Sequence, residues 1–215
     1  MTKIEDDSQL GLPLGGGYEA AQRPLVAPGE PGPGALVAGV DEAGRGPLAG
    51  PVAAAAVVLA EPNAVTGITD SKKLAPKRRR ELQDAILGQA FAAGLGWAEA
   101  DEIDAVNVGQ ATHRAMERAV AALGMRPDEL RIDGNSRPAG LPQAHCIVGG
   151  DGADSAIGAA SILAKVIRDD WMADYDVRYP GYGFARHKGY GTAEHREAVK
   201  RLGPSPIHRR SFTIK

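Results

Sequence analysis

Asp41 and Glu42 are adjacent at the end of an apolar run, inside Gly39-Val40-Asp41-Glu42-Ala43-Gly44-Arg45-Gly46-Pro47. Two neighbouring carboxylates there are costly to desolvate unless something cationic meets them. A divalent metal, an arginine or open water could each serve. The glycines flanking Arg45 also leave backbone N–H groups bare, which suits close approach to a phosphodiester. The pattern recurs at Asp133-Gly134 and at Gly150-Asp151-Gly152, each after a short strand-like run. Carboxylates gathered at strand ends repel one another unless divalent cations lie between them. All-oxygen ligands, with no His-x-x-x-His helix, favour magnesium or manganese over zinc. Aspartate before glycine is also a frequent turn pair, so Asp133 or Asp151 taken alone reads as an ordinary turn. Successive residues of a regular strand point to opposite faces, which makes Asp41 the better primary ligand. Glu42 would reach an ion through a distorted turn at Ala43-Gly44 or through its carbonyl, or else would not touch it.

The elements that must position these groups are an α/β set. Ala35 to Val40 and Pro51 to Leu59 read as two neighbouring buried strands, and Ala93 to Ala100 as a third. A helix begins at Pro76, with Leu82, Ile86 and Leu87 on its apolar side, and carries Lys77 to Arg80 at its start. Asp101 to Leu123 has the periodicity of one amphipathic helix stopped by Gly124. Leu130 to Ile132 and His145 to Val148 are short strands. Asp154 or Ser155 then caps a long, largely buried helix running to about Tyr175, and a last helix spans Thr192 to Arg201. Residues 1–34, with Gly15-Gly16-Gly17 and a Pro/Gly run from Pro28 to Gly34, carry little apolar periodicity and are expected to be a flexible tail. The catalytic domain would be 35–215.

The chain has 215 residues, enough for one full hydrophobic core. Its apolar fraction of 43% and charged fraction of 24% are globular values, and no apolar stretch has the length of a membrane span. No membrane partner is expected. Met1 to Gln9 lacks the apolar core of a secretory signal, so a cytoplasmic location is the default. Cys146 is the only cysteine, which excludes an internal disulfide and a multi-cysteine zinc site, and its apolar surroundings suggest a buried thiol. Net charge is −2, yet basic residues cluster at Lys72-Lys73, Lys77-Arg78-Arg79-Arg80, Arg186-His187-Lys188 and His208-Arg209-Arg210. Each cluster alone reads as a solvated face. Several together on a chain with a metal-like acidic site point to a polyanionic partner.

In order along the chain, these residues resemble the type 2 ribonucleases H (ribonuclease HII) of bacteria. Gly39 to Pro47 resembles the family's first motif, Thr69-Asp70-Ser71-Lys72-Lys73-Leu74 its second and Ile132-Asp133-Gly134-Asn135 its third acidic site. Ala159 to Val166 followed by Arg168-Asp169 is similar to the helix after the fourth carboxylate. His187-Lys188-Gly189-Tyr190-Gly191-Thr192 is similar to the segment with the substrate tyrosine, and Gly203 to Phe212 also fits. The common order over residues 37–212 is specific, and 1–34 lie outside it.

The resemblance implies a ribonuclease H-like fold, with a central mixed sheet flanked by helices and a helical C-terminal part. It implies an endonuclease cutting the RNA strand of RNA-DNA hybrids and the 5′ side of single ribonucleotides embedded in duplex DNA. Asp41, Glu42, Asp133 and Asp151 match the catalytic carboxylates, which would hold two divalent ions, Mn2+ or Mg2+. Gly44, Arg45 and Gly46 match the turn whose backbone reaches the ribose 2′-hydroxyl, and Tyr190 the residue packing on the sugar. Ser71, Lys72, Lys73, Lys165 and Lys188 are the remaining substrate-binding candidates. The family commonly has lysine before the fourth aspartate, where this chain has Gly150, so Lys165 or Lys188 is expected to supply the missing charge.

Type 3 relatives share the acidic core but usually carry a folded N-terminal substrate-binding domain, for which residues 1–34 are too short and glycine-rich. A non-catalytic hybrid-binding module would not need four carboxylates. A small-molecule phosphohydrolase would leave Ser71-Lys72-Lys73 and the basic C-terminal segment without a purpose. A monomer is expected.

Overall fold

The computed structural model describes residues 21–30, 34–61 and 63–213. Among the described residues six strands form one mixed sheet in the order β1-β4-β3-β2-β5-β6. These are β1 Gln22–Val26, β2 Val37–Ala43, β3 Val52–Leu59, β4 Ala90–Ala98, β5 Glu129–Asp133 and β6 His145–Ile147. β1 to β4, β4 to β3 and β3 to β2 are antiparallel, whereas β2 to β5 and β5 to β6 are parallel.

The sheet is covered on both faces, and β3 shows why its sequence is Val-Ala-Ala-Ala-Ala-Val-Val-Leu. All eight residues are buried, with alternate side chains entering two separate cores. Ala53, Ala55 and Val57 pack with the 24-residue helix α5 (Ser155–Arg178), while Val52, Ala54, Ala56 and Val58 pack with α3 (Val108–Ala121). Small side chains let the helices lie close to the sheet. At Gly39 the approach is so tight that a β-carbon would sit 2.1 Å from the α5 backbone at Ala156 and Ile157. Asp154 caps α5 by accepting from Ala156 N and Ile157 N.

The helix α1 (Pro76–Gln89) starts at proline and leads directly into β4. Short helices α4 (Gly150–Ala153) and α6 (Phe184–His187) flank α5, and α7 (Ala193–Leu202) closes the C-terminal part. Among the described residues no helix is long and apolar enough to cross a membrane.

Three expectations need correction. Gln22–Val26, placed in the tail, is an edge strand paired with β4. Its side chains are mostly exposed, so backbone hydrogen bonds rather than an apolar pattern hold it. Of the expected tail, residues 1–20 and 31–33 lie outside the described residues. The helix over 101–123 is two: α2 (Ala100–Val106) ends at Asn107, whose φ of +73° breaks the helical path while its side chain caps α3 by accepting from Gln110 N. Cys146 is exposed because β6 is the three-residue edge of the sheet.

Candidate active site

Parallel pairing of β2 with β5 sets Val40 against Ile132, which brings the two strand ends carrying Asp41 and Asp133 side by side. Asp41 lies opposite Ala55, on the α5 face, and is only 4% exposed. Glu42 lies opposite Ala54, on the α3 face. The strand is regular through this pair, so the two carboxylates diverge as strand geometry requires. Glu42 instead faces Arg45 at 3.4 Å, and with Asp133 lines a groove of about 280 Å³ beside Asn107, Gln110 and His113.

Burial holds the Asp41 carboxyl well above its ordinary range, and the like charges of Glu42 and Asp133 raise it further. Two hydrogen bonds oppose this, from Ser161 and from Glu42 N, the latter at 2.7 Å. Asp133 accepts from Gly150 N at 2.8 Å, tying β5 to the start of α4. Asp151, on α4, is also raised, by desolvation first and then by Asp133 and Asp70, with Lys72 acting in the opposite direction. Asp133 therefore acts on both Asp41 and Asp151. Among the described residues, however, no three His, Cys, Asp or Glu side chains are drawn together tightly enough to form a metal-holding group. A buried carboxylate crowded by like charges is nonetheless a donor set that a hard divalent cation would relieve.

The turn after β2 is built around two arginines. Gly44 has φ +97°, and a β-carbon there would meet Arg168 Nε at 2.0 Å, so only glycine fits. Arg168 is 1% exposed and donates to the carbonyls of Pro51, Lys188 and Ala49. Arg209, equally buried, donates to those of Gly44, Arg45, Pro47 and Gly50. Desolvation lowers both guanidiniums, to about 10 and about 9. Tyr190, 45% exposed, stands over the turn, with its ring 3.7 Å from where a β-carbon on Gly46 would lie.

The substrate-binding candidates separate. Gly44, Arg45, Gly46 and Tyr190 come together, and Arg45 is open to solvent. Ser71 is turned inward: its hydroxyl lies 2.9 Å from that of Ser161, behind Asp41. Lys72 and Lys73 are exposed on the 3-10 turn Ser71–Lys73. Lys165 and Lys188 both bind Asp169, one at its carboxylate and the other at its carbonyl. Lys72 is the cation that lowers Asp151, while Lys165 and Lys188, expected to replace the charge missing at position 150, are engaged by Asp169. Part of the basic run on α1 is neutralised internally, since Arg80 pairs with Asp170 and Arg79 donates to the carbonyls of Ser71 and Leu74.

Ser161, Arg168 and Arg209 escaped the sequence reading as parts of the site. An arginine inside the apolar face of α5 is a signal that could have found Arg168, because a buried guanidinium must have partners. The partners of Arg209 are carbonyls, which no residue type announces.

The family model for ribonuclease HII matches residues 38–215. The ribonuclease HII of Polaromonas sp. strain JS666 is 53% identical over 177 residues, covering 82% of this chain and 89% of the relative. Among solved structures, the ribonuclease H2 of Pyrococcus horikoshii OT3 superposes with a TM-score of 0.71 at 28% identity, over 83% of this chain and 94% of that one. A more distant fold match, at 18% identity and a TM-score of 0.62 over 79% of this chain and 63% of that one, is Bst-RNase HIII in complex with Mn2+. A family model running from β2 through the C-terminal helices, with a relative of such identity, makes this chain a member of the ribonuclease HII family.

Proposed function

We infer that this chain is an endonuclease that cleaves the RNA strand of RNA-DNA hybrids and cuts on the 5′ side of single ribonucleotides embedded in duplex DNA, leaving 5′-phosphate and 3′-hydroxyl ends. The observation that carries the residue assignment is the buried Asp41, crowded by Glu42 and Asp133 beside a backbone turn covered by Tyr190. Asp41, Glu42, Asp133 and Asp151 would hold two divalent ions, Mn2+ or Mg2+, with Asp41 central and Glu42 approaching from the groove side. Bound there, such ions supply an activated water for in-line attack and stabilise the leaving 3′-oxygen. The chain's own groups do the selecting. Gly44, Arg45 and Gly46 present backbone to the ribose, where the 2′-hydroxyl distinguishes RNA from DNA. Tyr190 packs on the sugar, and Lys72 and Lys73 meet phosphates. Ser71, held inside, serves through Ser161 rather than by contact with nucleic acid.

The test is incubation with Mg2+ or Mn2+ and a duplex bearing one ribonucleotide, beside an all-DNA control. A cut on the 5′ side of the ribonucleotide supports the reading, and Asp41→Asn should abolish turnover while duplex binding persists. No cleavage with either ion, or equal cutting of the control, refutes it.

A further inference from the structure

The C-terminal segment places two consecutive residues, His208 and Arg209, against the two halves of the sugar-contacting site. Arg209 gathers the carbonyls of Gly44 at 2.5 Å, Arg45 at 2.9 Å, Pro47 at 2.8 Å and Gly50 at 2.7 Å. In a trans peptide the N–H points opposite to the preceding carbonyl. With the Gly44 and Arg45 carbonyls drawn to Arg209, the N–H groups of Arg45 and Gly46 are therefore aimed away from it.

His208 acts on Tyr190 through His195. Ser205 N donates to His208 Nδ1 at 2.9 Å, which leaves the neutral ring's proton on Nε2. That proton faces His195 Nε2 at 3.0 Å, so His195 carries its own proton on Nδ1 and donates it to the Tyr190 carbonyl at 2.9 Å. Backbone bonds fasten the segment to the turn, from Gly50 N to Ile207 O and from Arg209 N to Leu48 O. Its far end is fixed by Asp104 of α2, whose carboxylate accepts from Arg210 N, Ser211 N and the Ser211 hydroxyl.

We propose that this C-terminal strap, residues 205–212, is the positioning element of ribose recognition: Arg209 sets the turn and His208 sets Tyr190, and Asp104 anchors both. The inference rests on the reading of Gly44 to Gly46 and Tyr190 as the sugar-contacting elements. Arg209 and His208 touch no substrate themselves. They fix the spacing between Gly46 and the Tyr190 ring, and loss of the anchor would let that spacing drift without altering any carboxylate.

Kinetics of the full chain on the single-ribonucleotide duplex test this, with Asp104→Ala, Arg209→Lys and Gly46→Ala measured beside the wild type and duplex affinity measured separately without metal. Asp104→Ala should lower kcat per folded molecule about tenfold and leave the duplex Kd within about twofold, since a small misplacement of reacting groups is expressed in rate. Arg209→Lys should fall further, because a single ammonium cannot span four carbonyls. Should Arg209→Lys fail to fold, Asp104→Ala decides, as it removes only an anchor on α2. If Gly46→Ala loses activity while both other variants keep wild-type kcat per folded molecule, whatever their melting temperatures, the strap proposal is overturned and the turn reading stands. If Gly46→Ala keeps full activity, the turn reading fails and takes the proposal with it.

Discussion

The hydroxyls of Ser71 and Ser161 lie 2.9 Å apart in the interior, and Ser161 also hydrogen-bonds the Asp41 carboxylate. An ionised Asp41 only accepts, so in that state Ser161 gives its proton to Asp41 and accepts one from Ser71. The second sequence motif thus reaches the first through α5, from behind.

Loss of this support should appear as a metal requirement. Partners that orient a metal ligand are typically worth 10–100-fold in affinity. Ser161→Ala should raise the half-saturating Mg2+ or Mn2+ concentration at least about tenfold, with Ser71→Ala in the same direction but smaller. Metal titrations of initial rate would show it, and unchanged curves for Ser161→Ala would remove Ser161 from the site.

The paired histidines make stability depend on pH. His208 is held at about 4 and His195 also below 6.5, in both cases chiefly by burial, with neighbouring imidazoles adding to the effect. Between 6.5 and about 4 the unfolded chain therefore binds protons that the fold refuses. The histidines' contribution to stability is full above 6.5 and falls as pH drops through that window. Denaturation at pH 7 and pH 5 should show wild type losing on the order of 2 kcal/mol more than His208→Gln.

Glu102 is 1% exposed and accepts from Arg118 at 2.7 Å and from Arg114 at 3.0 Å, bracing α2 against α3 across the break at Asn107. Removing one partner of a buried ion pair leaves the other charge uncompensated. Glu102→Ala should cost about 3 kcal/mol in chemical denaturation. The half-saturating metal concentration should not move, because no carboxylate of the site touches this brace.

Gly150 tests the departure from the usual lysine. A β-carbon there would lie 2.6 Å from Ile157 Cδ1, so Gly150→Lys overpacks the start of α4. It should destabilise by about 1–3 kcal/mol, with partial recovery in Gly150→Lys combined with Ile157→Val. Turnover and metal dependence should stay near wild type, because Lys72 already acts on Asp151. Lys72→Ala should be the more damaging change in the same assay.

The elements whose side chains carry their own pattern could be read directly from the residues. The runs of β2 and β3, the alanine- and isoleucine-rich α5 and the proline start of α1 were legible because burial on a strand or helix is written in apolar periodicity. The carboxylates at strand ends and the Gly-Arg-Gly turn were legible for a related reason: each is an unusual residue type in a place where it is costly unless used.

Features that depend on backbone partners and on position in the sheet emerge only in the folded chain. β1 is held by hydrogen bonds to β4 rather than by an apolar face, Cys146 is exposed because its strand became an edge, and Asn107 splits a periodic helix through one positive φ. Ser71 faces Ser161 of α5 rather than solvent because α5 packs across it. Arg209 is the clearest case, since its partners are carbonyls more than 150 positions away in the chain. Every residue has a carbonyl, so only the fold could say which of them this arginine would hold.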